Sequence, residues 1–133
     1  MTRTVYLNGD YLPETEAKVS IFDRGFLMAD GVYEVTSVLD GKLIDFAGHC
    51  VRLQRSLSEL EMQNPHTDAE WLQIHRDLVA QNGVVDGMVY LQVTRGMAPR
   101  DHGFPVDIAP SVVVTATFGM VAAAQLLNLI AES

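Results

Sequence analysis

The chain has 133 residues, 48% of them apolar and 20% charged, with a formal net charge of −8. That length holds one compact domain around one core and leaves no room for two. The acidic balance argues against nucleic acid or an anionic membrane surface as partner, and Cys50, the single cysteine, cannot close an intramolecular disulfide.

Met1-Thr2-Arg3-Thr4 leads into a strand pattern with no basic-then-apolar leader, and no apolar run reaches the ~20 residues needed to span a bilayer. A soluble, cytoplasmic domain is expected. Val5-Tyr6-Leu7 and Asp10-Tyr11-Leu12 flank Asn8-Gly9, a pair that supplies the positive φ angles of a type I′ hairpin, and Pro13 ends it. Residues 16–21 read as a short extended segment and residues 22–26 as irregular. Gly31–Leu39 is a strand, rich in β-branched and aromatic residues. Asp40-Gly41 turns it back into a second hairpin strand over residues 42–46. The period then becomes helical: Cys50, Val51, Leu53, Leu57 and Leu60 predict a helix over residues 48–62, with Pro65 closing the region. Thr67-x-x-Glu70 has the spacing of a capping box. It opens a second helix carrying Trp71, Leu72, Ile74, Leu78 and Val79, with Gly83 where a left-handed C-terminal residue is common. Residues 88–94 and Ser111–Phe118 return to strand. Two hairpins, two helices and two further strands give an α+β domain, a mostly antiparallel sheet with the helices on one face. Residues 1–118 form the domain. Residues 119–133 are an apolar tail that is expected to seek a partner surface.

The loop from Thr94 to Pro105, Thr-Arg-Gly-Met-Ala-Pro-Arg-Asp-His-Gly-Phe-Pro, is the most informative segment. Gly96 and Gly103 permit unusual backbone angles, and Pro99 and Pro105 restrict the chain. Arg95, Arg100 and His102 put cationic donors there, and a guanidinium matches a carboxylate in bidentate fashion. An anion trap and a solvated loop pairing with Asp101 and Asp107 both fit, and for Arg95 a structural ion pair fits equally well. Tyr33 is either a half-buried sheet aromatic or a hydroxyl offered to a ligand carboxylate. Tyr33 and Glu34 point to opposite faces, so at most one of them meets a given site. His49 and Arg52 share a helix face, where Arg52 could hold a phosphate near the helix start or simply pair in solvent, with Asp45 or Glu59 as partners. Asp23-Arg24-Gly25 fits a turn stabilised by the Asp side chain as well as a cation near a cleft. His66 and His75 read as surface residues. The histidines show no metal-ligand spacing, and there is no nucleophile elbow or phosphate-cradling glycine loop.

Taken together, Asp23-Arg24-Gly25-Phe26, Asp30-Gly31-Val32-Tyr33-Glu34-Val35, His49-x-x-Arg52-Leu53 and Gln92-Val93-Thr94-Arg95-Gly96-x-x-Pro99-Arg100-x-His102-x-Phe104-Pro105 resemble the class IV (fold-type IV) aminotransferases that use pyridoxal 5'-phosphate. The resemblance is strongest to the D-amino-acid aminotransferases and covers roughly residues 4 to 118, in family order and spacing. It implies the N-terminal domain of an enzyme that moves an amino group from a D-amino acid to a 2-oxo acid. Arg52 would hold the cofactor phosphate. Tyr33 would belong to the trap for the substrate α-carboxylate, and Arg100 and His102 would complete that trap from the other subunit of a homodimer. Branched-chain aminotransferases and aminodeoxychorismate lyases look similar around Asp30-Gly31-Val32-Tyr33-Glu34, but the Pro-Arg-x-His loop is not expected in them. The family also needs a lysine amine that binds the cofactor covalently and moves the Cα proton. Lys18 and Lys42 are the only lysines and neither matches it, so the chain by itself is expected to be inactive, truncated before that residue. A non-catalytic domain that assembles through its apolar tail is the alternative from another class.

Overall fold

A computed structural model describes residues 2–119, so the expected apolar tail lies outside the described residues. The elements run β1 (Thr4–Leu7), β2 (Asp10–Pro13), a single 3-10 turn (Glu14–Glu16), α1 (Arg24–Met28), β3 (Gly31–Leu39), β4 (Lys42–Leu43), α2 (Phe46–Glu59), α3 (Asp68–Asn82), β5 (Gly87–Thr94) and β6 (Ser111–Phe118). The six strands of the described residues join one sheet of order β2-β1-β6-β5-β3-β4, and each neighbouring pair is antiparallel.

Local chemistry accounts for most of these boundaries. Asn8 and Gly9 adopt φ of 49° and 101° and close the β1–β2 hairpin. Its tip is tied to β6, because the Val112 amide donates to Asn8 Oδ1 at 2.6 Å. At the start of α3 the Glu70 amide donates to Thr67 Oγ1 and the Thr67 amide donates to the Glu70 carboxylate, a complete capping box. Gly83 ends that helix at φ 61°.

Two expectations fail, each for a local reason. Residues 22–26 are not irregular: Asp23 accepts a hydrogen bond from the Gly25 amide at 2.8 Å and caps the short helix α1. The second hairpin strand stops at Leu43, since Asp45 turns to φ 53° and Phe46 already begins α2.

The alternation of side chains sorts the sheet into two faces. Tyr6, Val114, Leu91 and Glu34 are successive partners in one row, and that face is covered by α2 and α3. The core lies between: Leu53, Leu57, Trp71, Ile74 and Leu78 from the helices meet Val38, Val89, Val93, Val112, Val114 and Ala116 from the sheet. The row on the opposite face includes Tyr33, Gln92 and Val113, and among the described residues only the short α1 packs against that face, at its Thr94 end.

His75 corrects a further expectation, being buried in this core at 1% exposure and not on the surface. Its Nδ1 lies 2.7 Å from the Trp71 carbonyl, its ring meets Phe46 edge-on, and Nε2 is buried without a partner among the described residues. Burial pushes the imidazole down from its ordinary 6.5 to about 4. The unfolded chain binds that proton at higher pH than the folded chain does. Stability is therefore lost as pH falls from 6.5 to about 4, by on the order of 3 kcal/mol in all. Urea denaturation across this range should show the loss in the wild type, and His75→Gln should flatten it. Parallel profiles would contradict the burial effect.

Candidate functional site

The charged groups gather at the end of the sheet where β3 begins and β5 finishes. Gly31 pairs with Thr94 there, and the loop of residues 95–110 leaves from that point.

Asp30 organises this corner. Its carboxylate is 7% exposed and Oδ2 accepts from Arg24 Nε at 2.6 Å and from Arg95 Nε at 2.8 Å. Burial works against the charge, but hydrogen bonds from both guanidiniums outweigh it and hold the carboxyl below the usual carboxylate range. Arg95 Nη2 also donates to the Leu60 carbonyl at 2.8 Å. Arg95 is thus a structural ion pair, one of the two readings its position allowed. Asp23 supplies the turn that Asp23-Arg24-Gly25 suggested, and its other oxygen accepts from Ser111 Oγ at 2.5 Å.

The loop itself follows from close backbone approach. Gly96 takes φ 112°, and a Cβ there would lie 2.0 Å from the Ala109 carbonyl oxygen, so glycine is required. Gly103 does not use its freedom to take a positive φ. Arg100 and His102 are both exposed, and no ion pair joins Arg100 to Asp101 or Asp107 among the described residues. The local pairing expected of the alternative is absent there, while the exposure suits a solvated loop and a trap alike.

Tyr33 is 64% exposed on the face opposite α2 and α3, stacked on Tyr90 with ring centroids 5.7 Å apart. It is not half-buried. The residue after it goes the other way: Glu34 is buried, with Oε1 at 2.6 Å from His49 Nδ1 and both oxygens accepting from Arg52 at 2.9 Å. His49 and Arg52 therefore share one buried acid, and neither pairs with Asp45 or Glu59 as a solvated helix face would. Arg52 remains 56% exposed with Nη1 uncommitted among the described residues, so it is fixed by Glu34 and still open to an anion. This donor fits the phosphate end of pyridoxal phosphate. The covalent end is not matched. Lys42 pairs with Leu39, six residues along β3 from Tyr33 and so roughly 20 Å away, and Lys18 is exposed outside any strand or helix.

Sequence reasoning named Tyr33, Arg52, Arg100 and His102 as candidates but missed the residues that contact or support them. Asp30, Glu34 and Tyr90 carry no local signal of their roles. Tyr90 could have been found from strand alternation once its register with β3 was known. No group of three or more His, Cys, Asp and Glu that could hold a metal occurs among the described residues. None of their helices is long and apolar enough to cross a membrane.

A single antiparallel sheet, with α2 and α3 on one face and a cationic loop leaving its end, defines an α+β domain. The sequence model for amino-transferase class IV matches residues 31–126, and the chain belongs to that family. A D-alanine aminotransferase of Staphylococcus haemolyticus is 39% identical over 110 residues, covering 83% of this chain and 39% of that protein. The chain thus spans about two fifths of the length of the curated relatives it matches. Among solved structures, a branched-chain amino acid aminotransferase from Escherichia coli aligns over 90% of this chain and 42% of its own, with TM-score 0.83 and 17% identity. The branched-chain aminotransferase of the thermophilic archaeon Thermoproteus uzoniensis, solved with norvaline, aligns with TM-score 0.71 and 22% identity over 89% of this chain and 41% of its own. These likenesses establish the fold expected from the sequence.

The Glu34 cluster can be tested without any ligand. Burial raises the Glu34 carboxyl, but its bonds to Arg52 and His49 hold it below its ordinary 4.5. Its contribution to stability is present above that ordinary value and is lost as pH falls through the lowered one. Arg52→Ala should move Glu34 upward in a carboxyl 13C titration. An unmoved titration would show that His49 alone holds it.

Proposed function

We propose that residues 1–118 are the N-terminal domain of a pyridoxal-phosphate-dependent D-amino-acid aminotransferase. The reaction would be of the D-alanine:2-oxoglutarate type. The observation that carries this reading is the exposed Arg100 and His102, without ion-pair partners among the described residues, on a loop braced by buried charge in a chain about 40% identical to D-alanine aminotransferases. The cofactor-binding lysine, the acid facing the pyridine nitrogen and the rest of the phosphate cup belong to a second, C-terminal domain, which is why Lys18 and Lys42 need play no part.

When bound, pyridoxal phosphate supplies the electron sink that lets the Cα proton leave. Arg52 binds its phosphate, with the guanidinium already oriented by Glu34 so that little side-chain freedom is lost on binding. Arg100 and His102, from the other subunit of a homodimer, hold the substrate α-carboxylate, and the Tyr33 hydroxyl orients it. Fixing the carboxylate fixes which face of Cα is presented for proton transfer, and so selects the D-configuration. A 2-oxo acid carries the same carboxylate, so one trap serves both substrates. We place the enzyme in the cytoplasm, a reducing compartment that suits the free, buried Cys50.

The fold alone also suits a branched-chain aminotransferase, since the solved structures of that activity share it. The loop favours the D-specific reading. The test uses the full-length protein with cofactor and a panel of D- and L-donors against 2-oxoglutarate. D-alanine should be preferred, and Arg100→Ala or His102→Ala should each raise KM for D-alanine about 10- to 100-fold, as expected for losing a hydrogen bond to a charged group. Preference for L-leucine or L-valine, or variants with unchanged KM, would overturn the assignment.

A further inference from the structure

The carboxylate-binding loop does not hold itself in shape. Its first residues are zipped to the start of α1: the Arg24 amide donates to the Gly96 carbonyl at 2.8 Å, the Ala98 amide donates to the Phe22 carbonyl at 3.3 Å, and Asp23 bridges Met97. Beyond Pro99 these backbone ties stop. Two contacts then carry the segment that bears Arg100 and His102. Arg24 Nη1 donates to the carbonyl of Asp101, the residue between them, at 2.8 Å. The Phe104 ring lies against the Arg95 guanidinium at 4.3 Å and the Arg24 guanidinium at 5.8 Å. Both guanidiniums are fixed from behind by the buried Asp30 carboxylate.

We propose that Arg24, locked by Asp30, is a positioning residue that aims Arg100 and His102. This rests on reading that loop as the carboxylate trap. The geometry suits the task. Arg24 is 3% exposed and one of its nitrogens is committed to Asp30, so the fork can present a second N–H in a single direction. That N–H grips a main-chain oxygen, not a side chain, and so fixes the backbone from which both ligand-binding side chains project. Phe104 closes the far side of the same turn by stacking on the paired guanidiniums.

Lysine at position 24 separates the two jobs, since an ammonium can keep the ion pair with Asp30 but lacks the fork that also reaches the Asp101 carbonyl. In the full-length holoenzyme, Arg24→Lys should speed amide hydrogen exchange in the peptide covering residues 100–104 about tenfold, with exchange in β3 and β5 unchanged. Cofactor occupancy, read from its near-visible absorbance, should hold. KM for D-alanine and for 2-oxoglutarate should rise about tenfold with kcat within about threefold, the pattern of lost substrate binding. Wild-type exchange and KM in a folded Arg24→Lys protein would overturn the proposal, and so would a fall in kcat and occupancy with KM unmoved, which marks a merely structural role. Should Arg24→Lys not fold, Phe104→Leu removes only the exposed ring. It should raise loop exchange and KM in the same direction by a smaller factor, and no change in either overturns the proposal. The two readings fail differently. An Arg100→Ala protein with normal KM removes the trap itself, whereas Arg24→Lys matching wild type while Arg100→Ala raises KM removes only the tether.

Discussion

A carboxylate buried between two arginines sets the geometry of this domain's working corner. Asp30 lies at the foot of β3, Arg24 opens α1 and Arg95 follows β5, so one anion joins three segments, the last of them distant in the chain. Taking such charges out of water is costly, and the cost is offset only when geometry and hydrogen bonding are nearly complete. Here Arg24 and Arg95 each donate onward, to Asp101 and Leu60, and the Asp30 carbonyl accepts from the Arg95 amide at 3.0 Å. Losing one partner of such a cluster would leave unpaired buried charge, typically a penalty of about 3–5 kcal/mol, so the arrangement is held with little slack.

A second constraint is the pleat. Tyr33 and Glu34 are neighbours on β3 and necessarily face opposite ways. One side of the sheet meets α2, where Glu34 pins His49 and Arg52. The other carries Tyr33 and Tyr90, and among the described residues only the short α1 packs on it, at the Thr94 end. In this way a single dipeptide ties the helix that bears the proposed phosphate donor to the strand that bears the proposed carboxylate-orienting hydroxyl. Because β4 pairs only with Val38 and Leu39, the first half of β3 has no strand on its outer side among the described residues, and α2 reaches the sheet there.

Buried groups outside this corner behave differently. Burial pushes the Cys50 thiol up to about 11, so it packs as an apolar residue and is a poor nucleophile near neutral pH. His75 is neutral at the same pH for the same reason. Both serve the packing of α2 and α3, and the exposed groups proposed to meet a ligand lie at the sheet corner, at Tyr33 and at Arg52.

Local rules determined much of this protein from the sequence alone. Asn8-Gly9 fixed a turn, Thr67 and Glu70 capped a helix, the alternation along Gly31–Leu39 made a strand, and the loop's composition marked Arg100 and His102. Each depends on residues within about four positions, where propensity, capping and side-chain period act directly. Partnership across the chain was decided only by the tertiary structure. Arg95 is 65 residues from Asp30 and Arg52 is 18 from Glu34. Nothing local distinguishes those pairs from Asp101, Asp107, Asp45 or Glu59 as candidates. The register of β3 against β5, and the packing of α2 on the sheet, chose among them, because a buried charge accepts only the partner that the folded backbone brings within hydrogen-bonding distance.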